Sequence, residues 1–183
     1  MWYIAIIIGA NIIIIAGHLS FSALPLWQSL LFPPMATISV IAVDGIGAYL
    51  TRRLPERFFI AEKTLAVREA ERKFYRKIGI KKWKDKVPEL GGFTGFHKDH
   101  LKSKADEEYL SKFLLESNYG IACHTVNITT GFLIAFLSFC GPLSVTLPVS
   151  AVNAVLNLLP IAILRYNNAA LLRAYKRTKT VHN

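Results

Sequence analysis

Two long stretches of this chain are almost free of charged residues, and the segments between and after them hold nearly all of its charge. Residues 1–51 contain no Lys or Arg and a single acid, Asp44. Residues 117–164 contain no Lys, Arg, Asp or Glu. A helix needs roughly 20 apolar residues to cross a bilayer's hydrocarbon core, so each stretch has room for two spans. The first is predicted over 2–20, WYIAIIIGANIIIIAGHLS. Its isoleucines would favour a strand in water, but within lipid only helices and closed barrels satisfy the backbone. The proline-rich segment 21–34 that follows reads as an interfacial loop or a short re-entrant piece. The second span is predicted over 35–50, ended by Thr51-Arg52-Arg53, and the third over 119–140. Gly141-Pro142 then makes the turn into the fourth, over 143–164, which Arg165 closes. The expected fold is an all-α membrane protein of four transmembrane helices in one domain, 1–183, with an insert at 54–118 and a basic tail at 165–183.

The insert changes the pattern. Val67, Ala70, Phe74 and Ile78 recur at helical spacing, with charges on the other positions. A basic amphipathic helix of this kind lies on a membrane surface or packs on a soluble core. The insert is short and polar for a large core of its own, which favours the surface. A further helix is expected from about Asp106, running into the third span.

Charge sets the orientation. Of the 22 Lys and Arg, 17 fall between Arg52 and Lys112 and five between Arg165 and Lys179. Such blocks accumulate on the cytoplasmic side of a membrane and attract anionic headgroups. An even number of crossings then puts both termini and the insert in the cytoplasm. A net charge of +10 also suits a nucleic-acid binder, but no zinc-finger, RRM or KH pattern accompanies it. The start, Met1-Trp2-Tyr3, lacks the positive region of a signal peptide, so the first span is expected to be retained. Cys123 and Cys140 stand about 25 Å apart along one helix and read as packing residues.

Polar residues inside a lipid span are expensive, and they are kept for function or for helix association. Asp44 lies about 10 Å deep from the cytoplasmic end of the second span. Asn127 in the third span and Asn157 in the fourth fall at nearly the same depth. His124 shares a face with Asn127, and Asn153 shares one with Asn157. Helical spans would therefore turn a polar layer toward the bundle interior. Two readings stand: asparagines that join helices, or a site in which His124 acts as general base. Asp44 is the costliest member, and pairing with Arg165 or His124 is its structural alternative. His97 and His100 flank Asp99, but no further ligands stand at familiar metal spacing. No metal or cofactor is expected. Gly91, Gly92 and Gly95 make no phosphate loop, and no G-x-S-x-G elbow occurs.

The segment FYRKIGIKKWKDKVPE, 74–89, resembles a hallmark of the glycosyl-4,4'-diaponeurosporenoate acyltransferases, which are small membrane proteins of carotenoid biosynthesis. The matching positions are Tyr75, Gly79, Ile80, Trp83, Lys84, Asp85 and Pro88. Glu116 and His124 in ESNYGIACH, and Asn157, Pro160, Arg165, Tyr166 and Asn167 at the end of the last span, are similar too. The chain departs from the family pattern at Tyr119, Ile121, Leu164 and Asn168. The resemblance implies transfer of a fatty acyl group, from acyl-CoA or an acyl lipid, to a hydroxyl of a lipid-like, glycosylated acceptor. On that reading His124 is the base, and Glu116 or Asp85 orients it or the acceptor. Lys84 and Arg165 hold the donor's phosphate. An asparagine steadies the oxyanion, and Trp83, Asp44, Tyr166 and Asn167 complete the substrate contacts. Glu116 and His124 stand about 12 Å apart along a continuous helix, so direct contact requires a break near Gly120. A non-catalytic lipid-binding scaffold and a small transporter are the competing classes.

Overall fold

The computed structural model describes residues 2–87, 106–137 and 140–181. The described residues are helical and contain no strand. The helices are α1 (Trp2–Phe21), α2 (Leu26–Arg52), α3 (Glu69–Lys77), α4 (Ile80–Trp83), α5 (Glu107–Phe136) and α6 (Leu143–Val181). Of these, α1, α2, α5 and α6 are long and apolar enough to cross a membrane. Pro88, Gly91, Gly92, Gly95, His97, Asp99 and His100 lie outside the described residues.

Two compact units divide the chain. The first comprises Met1–Arg52 and Cys123–Leu158, so it holds α1, α2 and adjoining lengths of α5 and α6. Its buried core is Ala36, Val40, Cys140, Val145 and Val149, small residues that let helices approach closely. Ser150 Oγ donates to the Gly131 carbonyl at 2.7 Å and Thr146 Oγ1 to the Ala135 carbonyl at 3.1 Å, which ties α6 to α5. The outer faces are apolar: Ile4, Ile8, Ile12 and Ile13 of α1 are exposed, with Ile13 at 72%. In water such a surface would be an aggregation liability; against lipid tails it is an ordinary helix surface.

The segment 21–34 is corrected by the structure. A turn at 22–25 is followed directly by α2, which carries Pro33 and Pro34 in its interior. Proline inside a helix removes a hydrogen bond. Membrane helices tolerate it where neighbouring groups compensate. Pro33 is buried. Beside it Phe32 sits where a Cβ on Gly141 would come within 2.9 Å. Gly141 has φ +128°, so the turn between α5 and α6 needs glycine for its backbone and for this contact.

The second unit comprises Arg53–Ala122 and Leu159–Asn183. One cluster packs Ala61, Leu110, Phe113, Leu114, Leu171 and Tyr175, and another packs Val67, Tyr75 and Ile80 with Trp83 and Tyr166. Asp106 caps α5, its Oδ1 accepting from the Tyr109 amide at 2.8 Å, and α5 continues into the third predicted span, 119–140, ending at Phe136. The amphipathic expectation for the insert is corrected in register. Val67 lies outside any helix, before α3, while Ala70, Phe74 and Ile78 are exposed. The side chain that α3 buries is Tyr75, one position on. A nine-residue helix has little face to share, and the bulky phenol with its partner Glu71 decides which side turns inward.

Candidate functional site

In the first unit, three helices contribute to one polar cluster. Asp44 comes from α2, His124 and Asn127 from α5, and Asn153 and Asn157 from α6. His124 Nδ1 meets Asn157 Oδ1 at 2.8 Å. An amide oxygen only accepts, so Nδ1 carries the proton, and the neutral imidazole has its lone pair on Nε2. Asn157 Nδ2 donates to Asp44 Oδ2 at 3.2 Å and to the Asn153 carbonyl and Oδ1 at 3.0 and 2.9 Å. Asn153 Nδ2 donates to Asp44 Oδ1 at 3.4 Å and to the Asn127 carbonyl at 3.3 Å. With its amide nitrogen facing acceptors, Asn127 donates to the Asp44 and Cys123 carbonyls at 3.2 and 3.1 Å. The result is a relay, His124 to Asn157 to Asp44, with Asn153 bracing the carboxylate.

Local sequence makes the cluster possible. Asn127 and Gly131 are one turn apart on α5, and Asn153 and Asn157 one turn apart on α6. A Cβ on Gly131 would stand 2.8 Å from Asn153 Nδ2, and one on Gly47 would stand 3.1 Å from the Asn127 side chain. Glycine at these two places lets the amides reach across.

The structure brings together Asp44, Asn127 and Asn157, the three residues expected at nearly equal depth, and His124, expected one turn away on the face of Asn127. The partner on His124 Nδ1 is Asn157, where the sequence offered Glu116 or Asp85 to orient this ring or the acceptor. α5 runs unbroken through Gly120, the position where a break was required. The Asn157 nitrogen already meets three acceptors, so this amide is not arranged as an oxyanion donor.

The family-motif residues of the second unit form a different assembly. Arg165 Nε and Nη2 donate to the two Glu71 oxygens at 2.9 and 2.7 Å, a bidentate pair, and Nη1 donates to the Leu65 carbonyl at 2.7 Å. Tyr75 Oη donates to Glu71 Oε1 at 2.6 Å, and Tyr166 packs edge-on against the Tyr75 ring. Partial burial raises the Glu71 carboxyl, but the Arg165 and Tyr75 hydrogen bonds and the Arg165 charge outweigh it, leaving it below the usual glutamate value. Burial, and then the bond to Glu71, push the Tyr75 phenol well above its ordinary value. Trp83 Nε1 donates to the Ile78 carbonyl at 3.1 Å, and Lys84 pairs with the exposed Asp85 at 2.7 Å. Glu116 and Asn167 are half-buried. Tyr119 and Asn168, two departures from the family pattern, are buried anchors. Tyr119 Oη donates to the Leu54 carbonyl at 2.7 Å, and Asn168 Oδ1 accepts from Ser117 at 2.7 Å. Glu71 was not singled out in the sequence; an acid one helical turn before Tyr75, just ahead of the motif-matching segment 74–89, was the available signal. Among the described residues no cluster of His, Cys, Asp and Glu could hold a metal ion.

Four helices long and apolar enough to cross a membrane, with a histidine–amide–carboxylate relay inside one unit and an arginine clamp inside the other, define an all-helical protein. The model of the glycosyl-4,4'-diaponeurosporenoate acyltransferase family matches residues 55–177, and the chain belongs to that family. No curated protein and no solved structure matches it.

Proposed function

We propose that the protein is a membrane-embedded acyltransferase. It moves a fatty acyl group from acyl-CoA or an acyl lipid to a hydroxyl of a lipid-like, glycosylated acceptor at the cytoplasmic leaflet. The observation that carries this reading is the 2.8 Å contact from His124 Nδ1 to Asn157 Oδ1, backed by Asp44, in a chain of an acyltransferase family. Both basic blocks would then face the cytoplasm, where anionic headgroups gather.

In the reaction, His124 Nε2 takes the proton of the acceptor hydroxyl as its oxygen attacks the donor's acyl carbon. The tetrahedral intermediate collapses, the bond to the donor's sulfur or oxygen breaks, and the imidazolium returns the proton to that leaving group. Asn157 holds the ring and its tautomer. Asp44, reached through the amide, favours the imidazolium that forms between the two steps. General-base catalysis contributes typically ~10²–10⁴-fold. Purified His124→Ala with a radiolabelled acyl donor should lose activity by about that factor. Turnover at the wild-type rate would remove His124 from the chemistry.

A further inference from the structure

Beside the relay, α1, α2 and α6 line an open groove of about 350 Å³, the open space at its mouth included. Ile7, Ala10, Ile14, Val40, Val149 and Val152 form its walls. Asn11 and Thr37 line it too, but they satisfy each other: Asn11 Nδ2 donates to Thr37 Oγ1 at 3.0 Å and to the Ile7 carbonyl at 2.9 Å. Asn153, the remaining polar residue of the lining, is bonded to Asp44 and the Asn127 carbonyl. What remains is a hydrocarbon surface. Water is a poor occupant, since a buried water needs two to four polar partners. At membrane depth the surrounding solvent is itself acyl chains.

Asn153 belongs to both the groove and the relay, so the groove is continuous with the polar cluster. From Val149 to Leu156 it follows α6 for about 10 Å, and from Ile7 to Ile14 it follows α1 for a similar length. One leaflet's hydrocarbon depth is about 15 Å. We propose that this groove holds the fatty acyl chain of the donor, with its carbonyl end at Asp44, Asn157 and His124 and its tail along α1 and α2. The proposal rests on the acyl-transfer reading of the relay. A chain already in lipid gains no hydrophobic energy by entering, so the groove selects by fit, and chain length is the property it measures.

The test uses the full chain in phosphatidylcholine/phosphatidylglycerol nanodiscs with a fatty acyl-CoA carrying a diazirine at its terminal carbon. Light should attach the label to peptides containing Ile7–Ile14, Thr37–Ile41 or Val149–Leu156. Val152→Phe and, from another helix, Ala10→Phe narrow the groove. In variants that melt like the wild type, either should reduce labelling and shift use from long toward short donors by about tenfold. Label found only elsewhere, or equal losses for all chain lengths, overturns the groove. An Ala10→Cys variant that forms a disulfide dimer through this face would also overturn it, by making a second copy the occupant. Labelling in the groove together with full His124→Ala turnover would keep the groove and reject the relay; an inactive His124→Ala with label outside would do the reverse.

Discussion

Replacing Asn157 by leucine, and separately Asn153 by leucine, distinguishes two jobs that asparagines do in a helical bundle. Both residues lie on α6 and both donate to Asp44, at 3.2 and 3.4 Å. Each substitution keeps the branching at Cγ and removes interhelical hydrogen bonds. Such bonds in membrane bundles average ~0.6 kcal/mol, so each variant should lose ~1–2 kcal/mol of stability. Asn157 alone of the two accepts from His124 Nδ1. Without that acceptor the proton is free to move to Nε2, and the ring to turn, which destroys the base. Asn157→Leu should therefore reduce kcat by ~10²–10³, within the range general-base catalysis supplies, while Asn153→Leu should lose less than about tenfold. The assay is turnover of a labelled acyl donor by detergent-purified protein, with thermal unfolding measured on the same samples. Equal losses of activity tracking equal losses of stability would refute the relay and leave both residues as helix joints.

Further expectations concern the supports of the two assemblies. Gly131→Ala places a methyl 2.8 Å from Asn153 Nδ2. Because Asn153 bonds at 3.3 and 3.4 Å, they should be lost with ~1–3 kcal/mol of stability, read by thermal unfolding. Arg165→Lys keeps the charge and loses the bidentate fork on Glu71. The pair is partly exposed, 16% and 24%, so a cost of ~1–2 kcal/mol is expected, and a melting temperature equal to wild type would refute a structural role for the pair. Glu62 accepts from Tyr175, from its own backbone amide and from Lys179, which lowers its carboxyl from 4.5 to about 2. A depressed acid stabilises the fold above its unfolded pKa, and that contribution fades as pH falls from about 4.5 toward 2. Glu62→Gln should flatten the dependence of unfolding temperature on pH across that window.

The four long helices were legible in the sequence because in lipid a helix must satisfy its backbone internally. Runs without charge therefore announce helices without knowledge of any partner. The Gly141-Pro142 turn was legible for a similarly local reason, since a φ of +128° suits glycine. That Asp44, Asn127 and Asn157 could meet also followed from counting residues along helices of fixed rise.

What counting does not supply is the rotation of each helix about its axis, and side-chain partnerships depend on that rotation. Nothing local in α6 says that Asn157 meets His124, a pairing across 33 residues. Nothing local joins Arg165 to Glu71, 94 residues away, or turns Tyr75 inward and leaves Phe74 exposed. Pro33 and Pro34 read as chain breakers by local rules, and α2 runs through them. Composition along the chain determined that these helices exist and which of their polar residues stand at matching positions along them. The close approach at Gly131 and Gly47, where missing side chains let amides cross between helices, decided which residues meet.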